Sequence, residues 1–182
     1  MSSDLQILGK FSEYRGFDDR GWICDTCGQI IEKARDGWVQ WRTPEAETAP
    51  SLQQENRQKP IGQDLQLVHH VPASPLPTKR GEKFGCQFDY RDPKFMVSDL
   101  DLESFLGPDG LMQLLAMIAE GDVRRTEVLE MIKRLHIPGY EHTRMRLEEA
   151  VREGVFEPNT APGYYWQSDI EAVKEWLKKR DA

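Results

Sequence analysis

The second half of the chain repeats its hydrophobic residues at the spacing of an α-helix. Leu111, Leu114 and Ile118 fall on one face of a predicted helix that Gly121 ends. An N-cap pattern at Ser98 predicts the start of an earlier helical segment. The predicted helical segments are 98–107, 111–121, 128–135, 141–153 and a last helix from residue 168.

Two short strand-like segments interrupt this helical pattern before the last helix. Residues 155–157 and 164–167 are predicted strands, and the Asn-Thr-Ala-Pro-Gly stretch at 159–163 is a predicted turn between them. Three helices, a hairpin and a final helix follow one another in winged-helix-like domains. A helical bundle in which a plain loop replaces the hairpin is the alternative.

The first half of the chain carries short alternating segments in place of helical repeats. Residues 21–23, 29–31, 38–41 and 65–71 are predicted strands. The polar, proline-containing segments between them, at 43–63 and 72–83, have no such pattern and are predicted to be flexible insertions.

Composition and charge narrow the class of protein. The 182 residues are 38% hydrophobic and 30% charged, and the formal net charge is −7, which disfavours steering of the whole chain toward DNA or an anionic membrane. The sequence has no apolar run of the roughly 20 residues that a membrane span needs. The N-terminal residues also lack the pattern of a signal peptide. We therefore expect a cytoplasmic protein without a membrane partner.

Two of the three cysteines form a CxxC motif, which indicates a metal or redox site. An odd number of cysteines argues against a disulfide framework. Cys24 and Cys27 are followed by Gly28 and lie between short predicted strands rather than in a βαβ pattern. This context favours a metal knuckle over a redox motif, and Zn²⁺ is the expected metal.

A tetrahedral zinc site needs two further ligands. Cys86 and a neighbouring pair, His69 and His70, are the main candidates. Adjacent residues of a strand point to opposite faces, so one histidine of the pair is expected to bind. If Leu67 faces the core, the alternation places His69 with it, but both histidines remain candidates. A closed site with three cysteines and one histidine is structural, because it leaves no position for water.

These patterns together predict an α+β protein in two parts. Residues 1–95 would form a small β-rich zinc-knuckle module, and residues 96–182 a helical, winged-helix-like domain.

Residues 22–75 resemble the first half of an HNH-type nuclease. The matching residues are Cys24, Cys27 and Gly28, followed by Leu-Val-His-His-Val at 67–71. The resemblance implies a metal-dependent nuclease in which His69 and His70 bind metal and activate the water that attacks phosphate. This is one alternative function.

Candidate contact residues lie in the helical half. Tyr164, Tyr165 and Trp166 are a predicted partner-binding cluster, since Tyr and Trp are favoured at interfaces. Arg144 and Arg146 lie on the third predicted helix, which would enter DNA in a winged-helix regulator. Because acidic residues balance the basic ones there, a protein partner is favoured over nucleic acid.

The sequence gives little indication of an enzyme. It contains no Ser-His-Asp order, Walker A motif or glycine-rich phosphate loop, and no small-molecule substrate is inferred. The leading hypothesis is a non-enzymatic docking or regulatory protein stabilised by structural zinc.

Overall fold

The protein combines a small antiparallel sheet with helices in a mixed α+β arrangement. A computed structural model describes residues 20–45, 60–76, 85–159, 161 and 163–180. The strands are β1 (Trp22–Ile23), β2 (Ile30–Ile31), β3 (Gly37–Pro44), β4 (Gln63–His69) and β5 (Phe95–Asp101). The helices are α1 (Gly107–Glu120), α2 (Arg125–His136), α3 (Tyr140–Thr143), α4 (Leu147–Arg152) and α5 (Gln167–Arg180).

A three-stranded sheet of order β4-β3-β5 lies at the centre of the fold. The central strand β3 pairs antiparallel with both neighbours, so that Trp38 lies opposite Val68 on one side and Asp101 on the other. β1 and β2 form a separate two-stranded hairpin whose turn holds the CxxC motif. The predicted strands of the first half are thus confirmed, with small shifts at their ends.

The helical segment predicted at 98–107 is wrong in its first part. Residues 95–101 form β5, and a 3₁₀ turn at Leu102–Phe105 separates this strand from α1. The Ser-Asp-Leu-Asp pattern does suit an N-cap, but seven residues of β5 pair with β3. This long-range pairing outweighs the local capping preference.

The next two predicted helices are confirmed. α1 ends at Gly121, which adopts a left-handed conformation (φ 68°) and donates its N–H to the carbonyl of Met117. This is the usual role of a glycine after a helix. α2 follows after only a few residues and presents Val128, Met131 and Leu135 to the core.

The helix predicted at 141–153 is broken into α3, a 3₁₀ turn at Arg144–Arg146, and α4. The hydroxyl of Thr143 donates to the carbonyls of Gly139 and Tyr140 one turn back. A hydroxyl bonded in this way competes with the backbone and bends a helix.

The hairpin predicted before the last helix does not form. Among the described residues of 155–167 none belongs to a strand, and α5 begins at Gln167. Phe156 and Tyr165 instead pack on a core cluster formed by Tyr140, Leu147 and residues of α4 and α5. Burial of these aromatic rings against the helices stabilises the segment in place of strand pairing.

The buried apolar residues form two clusters. The larger one extends from Trp22 in β1 to Leu135 in α2 and includes Val39, Leu67 and Phe105. The smaller one is the helical cluster around Tyr140. The predicted boundary at residue 95 lies at the first residue of β5, and the larger cluster extends across it. The division into two domains stays a prediction.

The two predicted insertions fall largely outside the description. Residues 46–59 and 77–84 lie outside the described residues, while the ends of both insertions join described strands and turns. Within the described residues, no helix combines the length and apolar character needed to cross a membrane.

Candidate metal centre

Four residues that are distant in sequence come together where the hairpin meets the end of β4. They are Cys24 and Cys27 in the β1–β2 turn, His69 at the end of β4, and Cys86 in the segment before β5. One ligand atom from each residue lies within 4.8 Å of those of the other three. These residues could together hold a metal ion.

The CxxC turn is fixed by its own backbone. The N–H of Gly28 donates to the carbonyl of Cys24, and the N–H of Cys24 donates to the carbonyl of Gln29, both over 2.9 Å. Gly28 has a φ of 72°, a left-handed conformation that glycine adopts without strain. The sequence therefore shapes this turn so that both sulfurs face the same side.

The centre is shielded from water. Cys24, Cys86 and His69 are buried, and only Cys27 is partly exposed. Trp22 and Ile31, both buried, belong to the same core cluster. Shielding of this kind favours a site that holds an ion permanently over one that exchanges ligands with solvent.

The ring of His69 is oriented by a backbone partner. Its Nε2 lies 3.1 Å from the carbonyl oxygen of Ile30. That oxygen can only accept, so Nε2 donates to it, and Nδ1 is the ring nitrogen that can offer a lone pair to a metal. Nδ1 lies 3.5 Å from Sγ of Cys27 and 3.8 Å from Sγ of Cys86. The free lone pair thus points into the group of sulfurs.

The remaining histidines lie elsewhere. The ring of His70 stacks on that of Trp38, with centroids 4.5 Å apart and planes inclined by 13°. Nε2 of His136 bonds to the carbonyl of Phe105, and Nε2 of His142 bonds to the carbonyl of Gly21. The cluster therefore contains His69 and not His70, as the alternation around Leu67 favours.

Burial governs the protonation of the thiols. It raises the pKa of the Cys24 thiol, and it raises the pKa of Cys86 to about 12 although the Ser74 hydroxyl acts in the opposite direction. The thiols of Cys24 and Cys86 are thus neutral unless a cation is present. A bound divalent metal would deprotonate them and supply the positive charge that the buried thiolates need.

Two hydroxyl groups support the loop that carries Cys86. Oγ of Ser74 lies 3.1 Å from Sγ of Cys86, and Oγ1 of Thr26 donates to the carbonyl of Cys86 over 2.6 Å. Thr26 thereby links the CxxC turn directly to the loop of the fourth ligand. Partners of this kind orient metal ligands.

A buried ionic cluster connects the centre to the helices. Asp25, inside the CxxC motif, accepts a hydrogen bond from Arg134 of α2 over 2.6 Å, and Arg134 also binds Glu141 of α3 over 2.7 Å. Glu141 in turn accepts the N–H of Ile23 in β1. The side chains of Arg134 and Glu141 are only 4% and 5% exposed, so this pairing fixes the hairpin against α2 and α3.

Sequence reasoning missed these supporting residues. Arg134 directly precedes the buried Leu135 on the inward face of α2, and a lone arginine there indicates a buried ion pair. No comparable signal marks Asp25 or Ser74, because short polar residues are common in turns.

The predicted partner-binding residues divide into two groups. Tyr164 and Trp166 are 46% and 58% exposed and meet edge to face, with ring centroids 5.1 Å apart. Tyr165 instead packs against Phe156 and Tyr140.

The two arginines differ in the same way. Arg144 is largely buried and binds Asp25 and Glu141. Arg146 is exposed and pairs with Glu149. Only Arg146 of this pair therefore presents its charge to solvent.

Comparison with models of known protein families, with curated proteins and with solved structures found no match for this chain.

Proposed function

We propose that this chain is a non-enzymatic docking or regulatory protein built around a structural zinc ion. The observation that carries the proposal is the buried group of Cys24, Cys27, His69 and Cys86. Four protein ligands complete a tetrahedral shell, so no position remains for a reacting water.

The donor set and its spacing fit zinc. Three thiolates and an imidazole are soft or borderline ligands, which disfavour Mg²⁺ and Ca²⁺. Tetrahedral bonds of about 2.3 Å to sulfur and about 2.0 Å to nitrogen place sulfur and nitrogen about 3.5 Å apart. The separations of 3.5 Å and 3.8 Å between Nδ1 of His69 and two sulfurs agree with this value.

The docking part of the proposal rests on Tyr164 and Trp166. These exposed rings lie just before α5, and the backbone N–H of Trp166 is held by Asp169 over 2.8 Å. Rigid, exposed aromatic residues supply contact area at low entropic cost, which makes them frequent anchors of protein interfaces. A protein partner is favoured over DNA because the exposed Arg146 is already paired with Glu149 and the chain is acidic.

The nuclease alternative receives less support. Each ring nitrogen of His69 is directed at a carbonyl or at sulfur, and His70 stacks on Trp38 outside the cluster. Neither histidine is therefore placed as a general base beside a bound metal. The winged-helix DNA-binding alternative also receives less support, because the described residues of 155–167 form no hairpin.

Metal analysis tests the zinc centre. We expect one zinc per chain in the purified protein, loss of zinc in His69→Ala and Cys86→Ala, and full retention in His70→Ala. The His70→Ala variant is a matched control because it removes the adjacent imidazole. Zinc retained by His69→Ala, or absent from wild type, would contradict the proposed site.

A second experiment tests docking. The wild type and the Tyr164→Ala/Trp166→Ala variant are immobilised and incubated with nuclease-treated cell extract. Met145→Ala is the control, because Met145 is even more exposed, at 74%, but lies in a different segment. We expect proteins that bind wild type and Met145→Ala and are lost with the double variant. Identical retention by all three would exclude these aromatic residues as the docking site.

A further inference from the structure

The loop before β5 covers one face of β3, which carries Trp38, Gln40 and Arg42 by strand alternation. The N–H of Phe88 in this loop donates to Oε1 of Gln40 over 3.2 Å. The guanidinium of Arg42 lies 4.6 Å from the centroids of both Phe88 and Phe95.

Arg42 also donates from Nε to the carboxylate of Asp64 over 3.1 Å. One end of this face thus holds a cation between aromatic rings and a carboxylate.

The other end of the same face forms a wide-open depression of about 320 Å³, here named the Trp38 pocket. Its lining has three aromatic rings, one aliphatic side chain, one amide and one carboxylate: Trp38, His70, Val71, Gln87, Tyr90 and Asp99. None of the six is a lysine or an arginine. The Trp38 pocket therefore has aromatic rings and a carboxylate, as the surroundings of Arg42 do, but its lining supplies no permanent cation.

Hydrogen bonds and stacking hold the walls of the Trp38 pocket in place. Tyr90 donates its hydroxyl proton to Asp99 over 2.7 Å and accepts a hydrogen bond from Gln87 over 3.3 Å. His70 stacks on Trp38 and directly follows the candidate ligand His69, while Gln87 directly follows Cys86. Two walls are thus anchored through the backbone next to the metal centre.

We infer that the Trp38 pocket binds an organic cation of the methylated ammonium class. Aromatic faces and a carboxylate attract positive charge, and the attraction grows when the cation leaves water. A guanidinium or a primary ammonium needs several hydrogen-bond acceptors. Here only the carboxylate of Asp99 and the amide of Gln87 supply side-chain oxygens that accept without donating, and half of the lining residues are aromatic. A cation that is recognised mainly through ring faces therefore fits best.

The inference goes beyond the proposed docking function and does not depend on it. Tyr164 and Trp166 are not part of the Trp38 pocket. A failure of docking would leave the pocket unaffected, and a failure of cation binding would leave the docking proposal intact.

A pair of isosteric ligands tests the charge requirement. Choline is titrated into the metal-loaded full chain at constant ionic strength, and 3,3-dimethyl-1-butanol serves as its neutral isostere. The readout is the indole N–H resonance of Trp38, assigned with Trp38→Phe. We expect choline to shift this resonance and the neutral isostere to bind about tenfold more weakly. Equal binding of the two ligands, or no shift with choline at tens of millimolar, would overturn the inference.

Variants test the location. Asp99→Asn and Tyr90→Leu are each expected to weaken choline binding by about fivefold or more, while Asp109→Asn changes an exposed carboxylate outside the pocket and leaves choline binding unchanged. Zinc content and circular dichroism verify that each variant is folded. Unaltered binding by both folded pocket variants would overturn the assignment.

A peptide carrying trimethyllysine, compared with its unmodified form, distinguishes the source of the cation. Binding of the modified peptide more tightly than choline would assign the pocket to a protein-borne cation. Tighter binding of choline would assign it to a free small molecule, and both outcomes support the same ligand class.

Discussion

At the residue scale, Ser74 offers a direct test of the metal centre. Its hydroxyl lies 3.1 Å from Sγ of Cys86 and can donate a hydrogen bond to the metal-bound thiolate. We expect Ser74→Ala to lower zinc affinity by about tenfold, because partners of this kind orient and stabilise a ligand. Competition with a chromophoric chelator measures the change.

Ser168→Ala is the control for this prediction. Ser168 is exposed and lies in the first turn of α5, far from the cluster in sequence. An affinity that falls equally in both variants, or in neither, would show that the Ser74 hydroxyl does not support the thiolate.

Individual ligands were predictable where chemistry and periodicity agree. The CxxC motif and the third cysteine follow from residue type, and alternation from Leu67 singles out His69. The positions of Asp25 and Ser74 were not predictable, because they depend on how the turn, β4 and α2 meet in space. The sequence shows that these residues are present, but it does not show that they lie close to the cluster.

At the element scale, α5 begins one residue before the last helix that is predicted from residue 168. The sequence pattern at 168–171 suggests Ser168 as N-cap with Glu171 closing the box. Instead the carboxylate of Asp169 accepts the N–H of Trp166, and Glu171 binds Lys174 and Gln167. The helix begins at Gln167, and Tyr165 just before it packs beside Phe156.

This difference gives a second prediction. We expect Asp169→Ala to lower the free energy of unfolding by about 1 kcal/mol, as for other lost caps, while Ser168→Ala changes it by much less. Urea denaturation followed by circular dichroism compares the two variants. A larger loss of unfolding free energy in Ser168→Ala would instead support Ser168 as the N-cap of a capping box with Glu171.

Long helices were predictable, and β5 was not, for a physical reason. α1 and α2 carry a complete apolar face within one segment, so their signal is local. β5 becomes a strand because β3 offers a pairing edge, and its own sequence also fits a helix start. The same dependence on context explains the absent hairpin, since Tyr165 and Phe156 bury their rings against helices instead.

At the scale of the whole molecule, the cluster of Arg134, Asp25 and Glu141 joins the hairpin to the helices. We expect Arg134→Met to destabilise the protein by about 3 kcal/mol, because the buried Glu141 loses its two hydrogen bonds from Arg134 and keeps only the longer contact to Arg144 and the N–H of Ile23. Denaturant unfolding of the metal-loaded protein measures the loss.

Arg146→Met is the matched control for Arg134→Met. The side chain of Arg146 is 52% exposed and pairs with Glu149 on the surface, so its removal should cost less than about 1 kcal/mol. Similar losses of unfolding free energy in the two variants would mean that the cluster of Arg134, Asp25 and Glu141 does not join the β1–β2 hairpin to α2 and α3.

Removal of the metal should destabilise more than the CxxC turn. Three of the four ligands, together with Trp22 and Leu67, belong to or pack on the larger apolar cluster, which extends to α2. Asp25 additionally connects the turn to Arg134. Loss of the ion would leave neutral thiols in the centre and release both the turn and the Cys86 loop.

We therefore expect a chelator to lower the thermal midpoint of unfolding by about 10 °C or more. A structural zinc contributes several kcal/mol to folding, and each kcal/mol corresponds to about 2–4 °C for a chain of this size. Differential scanning calorimetry, with readdition of zinc, measures the shift. Cys86→Ala should resemble the chelated wild type without any chelator, whereas His70→Ala should keep the wild-type response. Because three of the four residues share a core with α2, loss of the metal should destabilise the helices as well. An unchanged midpoint after complete zinc removal would therefore show that the four residues do not stabilise the fold through a metal.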